Sequence, residues 1–176
     1  DFAFQTKEVI AAITTRTRMI FLNTPNNPTG RLIAVTDLQR IAEAAQQAVV
    51  LIDEAYIEFG GETFLPSLSR YPNVLIGRTF SKAFGLAGIR MGYVVGSPTL
   101  VDAFNLMYLP WNLSLMAIAA AEAILDTGEV KDKVVYNNDW MKKFADALSA
   151  KGLTPYEAHG NYMLVDASVT GKTSAE

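Results

Sequence analysis

Val49-Val50-Leu51-Ile52-Asp53-Glu54-Ala55-Tyr56 is the stretch that decides the fold. Four consecutive aliphatic residues, apolar on both faces, suit a strand buried inside a parallel sheet, and the run stops at a carboxylate where such a strand leaves the core. On its N-terminal side, Arg18-Met19-Ile20-Phe21-Leu22-Asn23 is a second apolar run, ending in the turn formers Pro25-Asn26-Asn27-Pro28-Thr29-Gly30. Between the two, Thr36-Asp37 offers an N-cap to a helix whose apolar face is Leu38, Ile41, Ala42 and Ala45. On its C-terminal side, Asn73-Val74-Leu75-Ile76-Gly77-Arg78-Thr79 predicts a third strand and residues 91–95 a fourth. Strands alternating with helical patterns, without internal repeats, make the class α/β.

From Pro98 onward the pattern turns helical, predicting helices near 98–109, 114–126 and 128–151, the last ended by Gly152. Asn161-Tyr162-Met163-Leu164-Val165-Asp166 then reads as one more strand. It opens a second, smaller unit, so the expected division is 1–127 and 128–176. The chain has no initiator Met and no closing element, and reads as a piece of a longer protein.

Of the 176 residues, 50% are hydrophobic and 19% charged, the composition of a folded protein with a real core. Fifteen Lys and Arg against eighteen Asp and Glu give a net charge of −3, and no basic run marks a nucleic acid or anionic membrane as partner. The absence of cysteine removes disulfides, thiolate metal sites and thiol nucleophiles, and one histidine cannot build a multi-histidine metal site. The most apolar stretch, 106–125, is cut by Pro110, Asn112, Ser114 and Glu122, so it predicts a loop entering a buried helix and not a bilayer span. The first residues lack the features of a secretory signal, and the expected location is cytoplasmic.

Three polar clusters follow three successive strands: Asn26-Asn27-Pro28-Thr29-Gly30, Asp53-Glu54-Ala55-Tyr56, and Thr79-Phe80-Ser81-Lys82 with Arg90. Open parallel sheets bind ligands beyond the carboxyl ends of their strands, so the clusters are expected to converge on one site. Each also has a plain structural reading: a turn for the first, a helix cap for Asp53, packing for Tyr56, a solvated surface for Lys82. His159, among Pro155, Glu157 and Gly160, reads as an exposed loop residue far from the strand ends. Thr79 and Ser81 hydroxyls beside Arg90 suit a phosphate dianion. A cationic neighbour favours the neutral form of a lysine, the form that condenses with a carbonyl, and an aspartate in the same site can pair with a ring nitrogen.

Asn27, Asp53 with Tyr56, Lys82 and Arg90, in this order and at these spacings, resemble the fold-type I pyridoxal-phosphate aminotransferases. Within that family, 53–59, 79–92 and Pro110-Trp111-Asn112-Leu113-Ser114 look most like the histidinol-phosphate aminotransferases. The resemblance implies a three-layer αβα sandwich with a mostly parallel sheet, the partial large domain of such an enzyme, followed by the start of a small α+β domain. It implies pyridoxal 5′-phosphate held by Asn27, Asp53, Tyr56, Thr79, Ser81, Lys82 and Arg90, with Lys82 as the catalytic residue. The implied partners are a small amino acid or amino-alcohol phosphate, such as histidinol phosphate or an aromatic amino acid, a 2-oxo acid such as 2-oxoglutarate, and a second copy of the chain. A threonine-phosphate decarboxylase would use the same lysine, aspartate and phosphate grip. Family members are about twice this length and carry the arginine for the substrate carboxylate outside the part matched here. An inert fragment or dimerising module is therefore the reading from a different functional class.

Overall fold

The computed structural model describes residues 2–172; the positions 1 and 173–176 that bound the expected division lie outside the described residues. A six-residue helix α1 (Thr6–Ala11), which no sequence pattern announces, precedes the first strand. Strands β1 (Met19–Asn23), β2 (Val49–Asp53), β3 (Val74–Thr79) and β4 (Gly92–Gly96) form one sheet in chain order. The pairs β1·β2 and β2·β3 are parallel and β3·β4 is antiparallel, so the sheet is mostly parallel as the class requires.

Helix α2 (Val35–Ala44) crosses from β1 to β2 and lies on one face of the sheet. Leu38, Ile41, Ala42 and Ala45, the face read from the sequence, are all fully buried. They pack against Leu22, Val50, Ile52, Val74 and Ile76, with Ile33 and Phe64 closing the cluster. The cap differs from expectation: Thr36 and Asp37 lie inside the first turn, and Ala34, with no side-chain bond, is the N-cap. Asp37 instead accepts a bond of 3.1 Å from Arg40 one turn on. β2 alternates between half-buried and buried residues, so it is covered by α2 on one face only. Its other face, with Leu51 and Phe21, borders an open cavity flanked by α3 (Pro98–Asn105). β1 is the sheet's outer strand, and Met19 and Phe21 on it are exposed.

Helices α4 (Leu115–Thr127) and α5 (Glu129–Ser149) follow, separated by Gly128 at φ +69°. Ser114 caps α4 through a 3.1 Å bond from the Ala117 N–H. Only Ala117 and Ala121 of α4 are buried, and Leu115 and Met116 face solvent, so the expected buried helix is buried along a narrow stripe only. α5 ends as expected at Gly152: this residue has φ +79°, and the N–H groups of Gly152 and Leu153 close back on Ser149 and Leu148. The expected strand at 161–166 shrinks to β6 (Val165–Asp166), paired with β5 (Thr154–Pro155). Gly160 and Tyr162 are drawn into contacts with other loops instead, and this takes them out of strand pairing.

Leu38 sits at the centre of the α2 layer. Leu38→Ala is expected to cost about 2–5 kcal/mol of unfolding free energy, read from the urea midpoint with the slope unchanged.

Candidate active site

Strand register places the polar residues. Asn23 pairs with Asp53 and Asp53 with Gly77, so all three strands reach their carboxyl ends at the same height. Side chains alternate across a strand, so Asn23, Asp53 and Thr79 fall on the cavity face and Thr24, Glu54 and Arg78 on the face covered by α2. Just past the strand ends the chain must turn, and the turns carry the remaining candidates.

On the cavity face, Asp53, Thr79, Ser81, Lys82 and Arg90 line a single cavity of about 1000 Å³, together with Gly77 on its floor. Asp53 is oriented by its own turn: Oδ1 accepts the Ala55 N–H at 3.0 Å, and Oδ2 has no protein partner among the described residues. Thr79 Oγ1 accepts the Ser81 N–H at 3.0 Å, which folds the Thr79-Phe80-Ser81 turn back and brings both hydroxyls to one side. Arg90 has φ +55°, a left-handed conformation uncommon outside glycine, and this turns its side chain toward the same cavity. Nη1 donates to the Ala87 carbonyl at 2.9 Å; the other guanidinium donors are unpaired among the described residues. Lys82 makes no ion pair, and its Nζ lies 4.9 Å from the centroid of the Tyr56 ring. Asn27 and Tyr56 stand behind this wall: Asn27 Nδ2 donates to the Tyr56 hydroxyl at 3.2 Å, and Tyr56 is only 5% exposed. The three clusters thus converge as expected, with five residues on the cavity and two supporting it.

The opposite face holds residues that the sequence reading passed over. Glu54, completely buried, meets Arg78 at 2.7 Å through Nη2 and 2.9 Å through Nε. Arg78 also reaches Glu58 at 3.3 Å and donates to Thr63 Oγ1 at 2.9 Å. Glu54 accepts the Phe64 N–H at 2.7 Å and the Thr63 hydroxyl, so both of its oxygens are satisfied. Burial pushes the Glu58 carboxyl above its ordinary 4.5, with its own backbone N–H and Arg78 opposing the rise. Asn23 was also missed: its Oδ1 accepts the Asn27 N–H at 2.8 Å, and its amide donates to the Asp53 carbonyl at 3.3 Å. An alternating pattern with a charged pair in register, Glu54 beside Arg78, is the signal that would have found the network.

His159 also departs from expectation. Its N–H donates to the Gly30 carbonyl at 3.1 Å, and its imidazole is half-buried against Gly60, so it lies beside the first strand-end loop. No group of acidic or histidine side chains suited to a metal ion occurs among the described residues, and no helix there is long and apolar enough to cross a membrane.

The model of the family "aminotransferase class I and II" matches residues 1–170. The chain belongs to this family. The histidinol-phosphate aminotransferase of Methanococcoides burtonii is 40% identical over 94% of this chain and 45% of its own length. The aromatic amino acid aminotransferase of Mycobacteroides abscessus is 40% identical over 85% of this chain and 44% of its own length. Among solved structures, the histidinol-phosphate aminotransferase of Sinorhizobium meliloti, in complex with pyridoxal 5′-phosphate, superposes with a TM-score of 0.79. It is 30% identical, over 84% of this chain and 42% of that one. The chain spans about half the length of the curated relatives it matches. The aminotransferase chain shares the α/β fold of that enzyme, and its cavity lies where the family's parallel sheet ends.

The Glu58 carboxyl has a clear pH signature. Its raised value in the folded state means folding favours the protonated acid; this contribution is present below about pH 4.5 and is lost as pH rises through the folded value. Glu58→Gln is therefore expected to gain stability relative to the parent between pH 4 and pH 7, measured as the difference in urea midpoints at the two values.

Proposed function

We propose that the protein is a pyridoxal-phosphate-dependent aminotransferase. It moves an amino group between histidinol phosphate or an aromatic amino acid and a 2-oxo acid such as 2-oxoglutarate. The observation that carries this reading is one cavity into which a lysine without an ion-pair partner, a carboxylate with one free oxygen, and a hydroxyl–guanidinium group all face. The donor set fits that cofactor: an anion-binding group for a phosphate, an acid for a ring nitrogen, and an amine for an aldehyde. When bound, pyridoxal phosphate supplies the electron sink for charge that develops at the substrate α-carbon.

Each residue then has a task of its own. Thr79, Ser81 and Arg90 bind the phosphate through hydroxyl and charge-assisted N–H bonds. Asp53, held by the Ala55 N–H, presents Oδ2 to the ring nitrogen and keeps it protonated. The Tyr56 hydroxyl accepts from Asn27, which leaves its own hydrogen to donate to the ring oxygen; Asn27 is the second group directed there. Lys82 bonds covalently to the cofactor and, once substrate displaces it, carries the proton to and from the substrate α-carbon. No charged partner has to be broken for this movement, because Lys82 rests only on the Tyr56 ring.

Support for the substrate class comes from the relatives' names, among which histidinol-phosphate and aromatic amino acid aminotransferases stand together. Residues from Glu129 onward open the smaller unit in this reading, and the whole protein works as a cytoplasmic homodimer.

Incubation with pyridoxal 5′-phosphate, reduction with borohydride and peptide mass spectrometry should place the added mass on Lys82. Lys82→Ala should lose the label and all transamination; label spread over surface lysines would overturn the reading. Arg90→Ala should retain the label but weaken cofactor binding by about 1.5–3 kcal/mol, the worth of one charged hydrogen bond, as measured by equilibrium dialysis.

A further inference from the structure

The Asn26–Gly30 loop carries Asn27, and little of the sheet holds it. From the strand side there is the Asn23 side chain, bonded to the Asn27 N–H. The second hold comes from more than a hundred residues away. The Tyr162 hydroxyl donates to the Asn26 carbonyl at 2.7 Å, and the His159 N–H donates to the Gly30 carbonyl at 3.1 Å. The Asn26 carbonyl also accepts the Gly30 N–H at 2.7 Å, so Tyr162 binds the oxygen that closes the loop on itself. The Tyr162 ring meets Tyr56 edge to face, with centroids 4.9 Å apart and planes at 76°. One side chain thus touches both the loop that bears Asn27 and the ring that lies under Lys82 Nζ.

The segment carrying Tyr162 is itself anchored. Asn137 Nδ2 donates to the Gly160 carbonyl at 3.1 Å, and Asn138 Nδ2 donates to the Phe59 carbonyl at 2.9 Å. Both asparagines lie on α5, and Val130 and Val134 of the same helix pack with Tyr162 against Tyr56, Phe59 and Ala83. Burial, with a smaller contribution from Tyr56, pushes the Tyr162 hydroxyl up to about 12, so it stays a donor at every working pH.

We propose that Tyr162 is a positioning residue for the cofactor's ring-oxygen site, fixing Asn27 through the Asn26 carbonyl and Tyr56 through ring contact. The proposal rests on the aminotransferase reading for what Asn27 and Tyr56 contact, and on geometry alone for what Tyr162 holds. Tyr162 touches no reacting atom; its effect passes through the two residues it orients.

Tyr162→Phe keeps the ring and deletes the hydroxyl, and Tyr71→Phe is its control, deleting a 3.0 Å bond to Glu43 away from the cavity. In cofactor-free protein, hydrogen exchange at the Asn27 and Gly30 amides should accelerate severalfold in Tyr162→Phe and stay unchanged in Tyr71→Phe. With pyridoxal 5′-phosphate added, Tyr162→Phe should bind it roughly two- to tenfold more weakly, the range for one lost neutral hydrogen bond. The pH midpoint of the cofactor's absorbance should also rise, since loosened donors favour the protonated form of the ring oxygen. Parent-like exchange in Tyr162→Phe, parent-like affinity and midpoint, or equal changes in Tyr71→Phe would each overturn the proposal. Borohydride labelling of the parent at Lys82 separates this result from failure of the underlying reading, since the exchange measurement needs no cofactor.

Discussion

Parallel register across β1, β2 and β3 is the constraint on which the rest of the structure depends. Asn23 lies beside Asp53 and Asp53 beside Gly77, so three strands of different sequence end together, and whatever follows them is delivered to one place. A slip of one residue in β2 would exchange Asp53 and Glu54 between the two faces. The carboxylate that orients on its own turn would then enter the core, and the one that needs Arg78 would face an open cavity. The apolar face of β2 resists such a slip, because Val50 and Ile52 are fully buried under α2 while Leu51 is not.

The two faces of the sheet end satisfy their polar groups in opposite ways. Under α2, Glu54 and Arg78 are removed from water, and every donor and acceptor there finds a protein partner: Thr63, Glu58 and the Phe64 N–H complete the set. Buried charge is tolerable only when paired and hydrogen-bonded in this manner. On the cavity face the polar groups keep valences open: one oxygen of Asp53, the Lys82 amine and most of the Arg90 donors. The closed network ties β2 to β3 immediately behind the open one. Residues 53 and 54, and 78 and 79, thus form a rigid support and a reactive surface on adjacent positions.

Legibility in the sequence followed the range of each interaction. The α2 face and the Gly152 stop rest on neighbours within a turn, and both were readable; Asp53 and Lys82 were readable because each follows a strand whose apolar run is unmistakable. Thr36-Asp37 failed as a cap because Ala34 already holds the extended conformation at the helix start, leaving Asp37 for Arg40. β2 was read as covered on both faces, since an aliphatic run looks the same whether its second face meets a helix or a cavity. Residues 161–164 carry a strand's composition, yet Tyr162 is drawn off to the Asn26 carbonyl, 136 residues earlier, a pairing that no local pattern encodes.

Close approach between such distant segments explains where side chains are missing. Gly30 adopts φ +72°, and an added Cβ would collide with the backbone of Ala158; a Cβ at Gly60 would lie 2.8 Å from the His159 ring. Both glycines sit in loops that carry or support the polar clusters, and both admit the same returning segment. A loop bearing a ligand-binding residue gains rigidity either from its own short-range bonds or from a second layer of chain laid against it. The Asn26–Gly30 loop uses both, with Asn23 and the Thr29 hydroxyl inside it and residues 158–162 outside. The division of the sequence near Gly128 therefore does not isolate the later residues from the cavity. They supply its outer wall, and the cost of that arrangement is borne by two positions that must remain glycine.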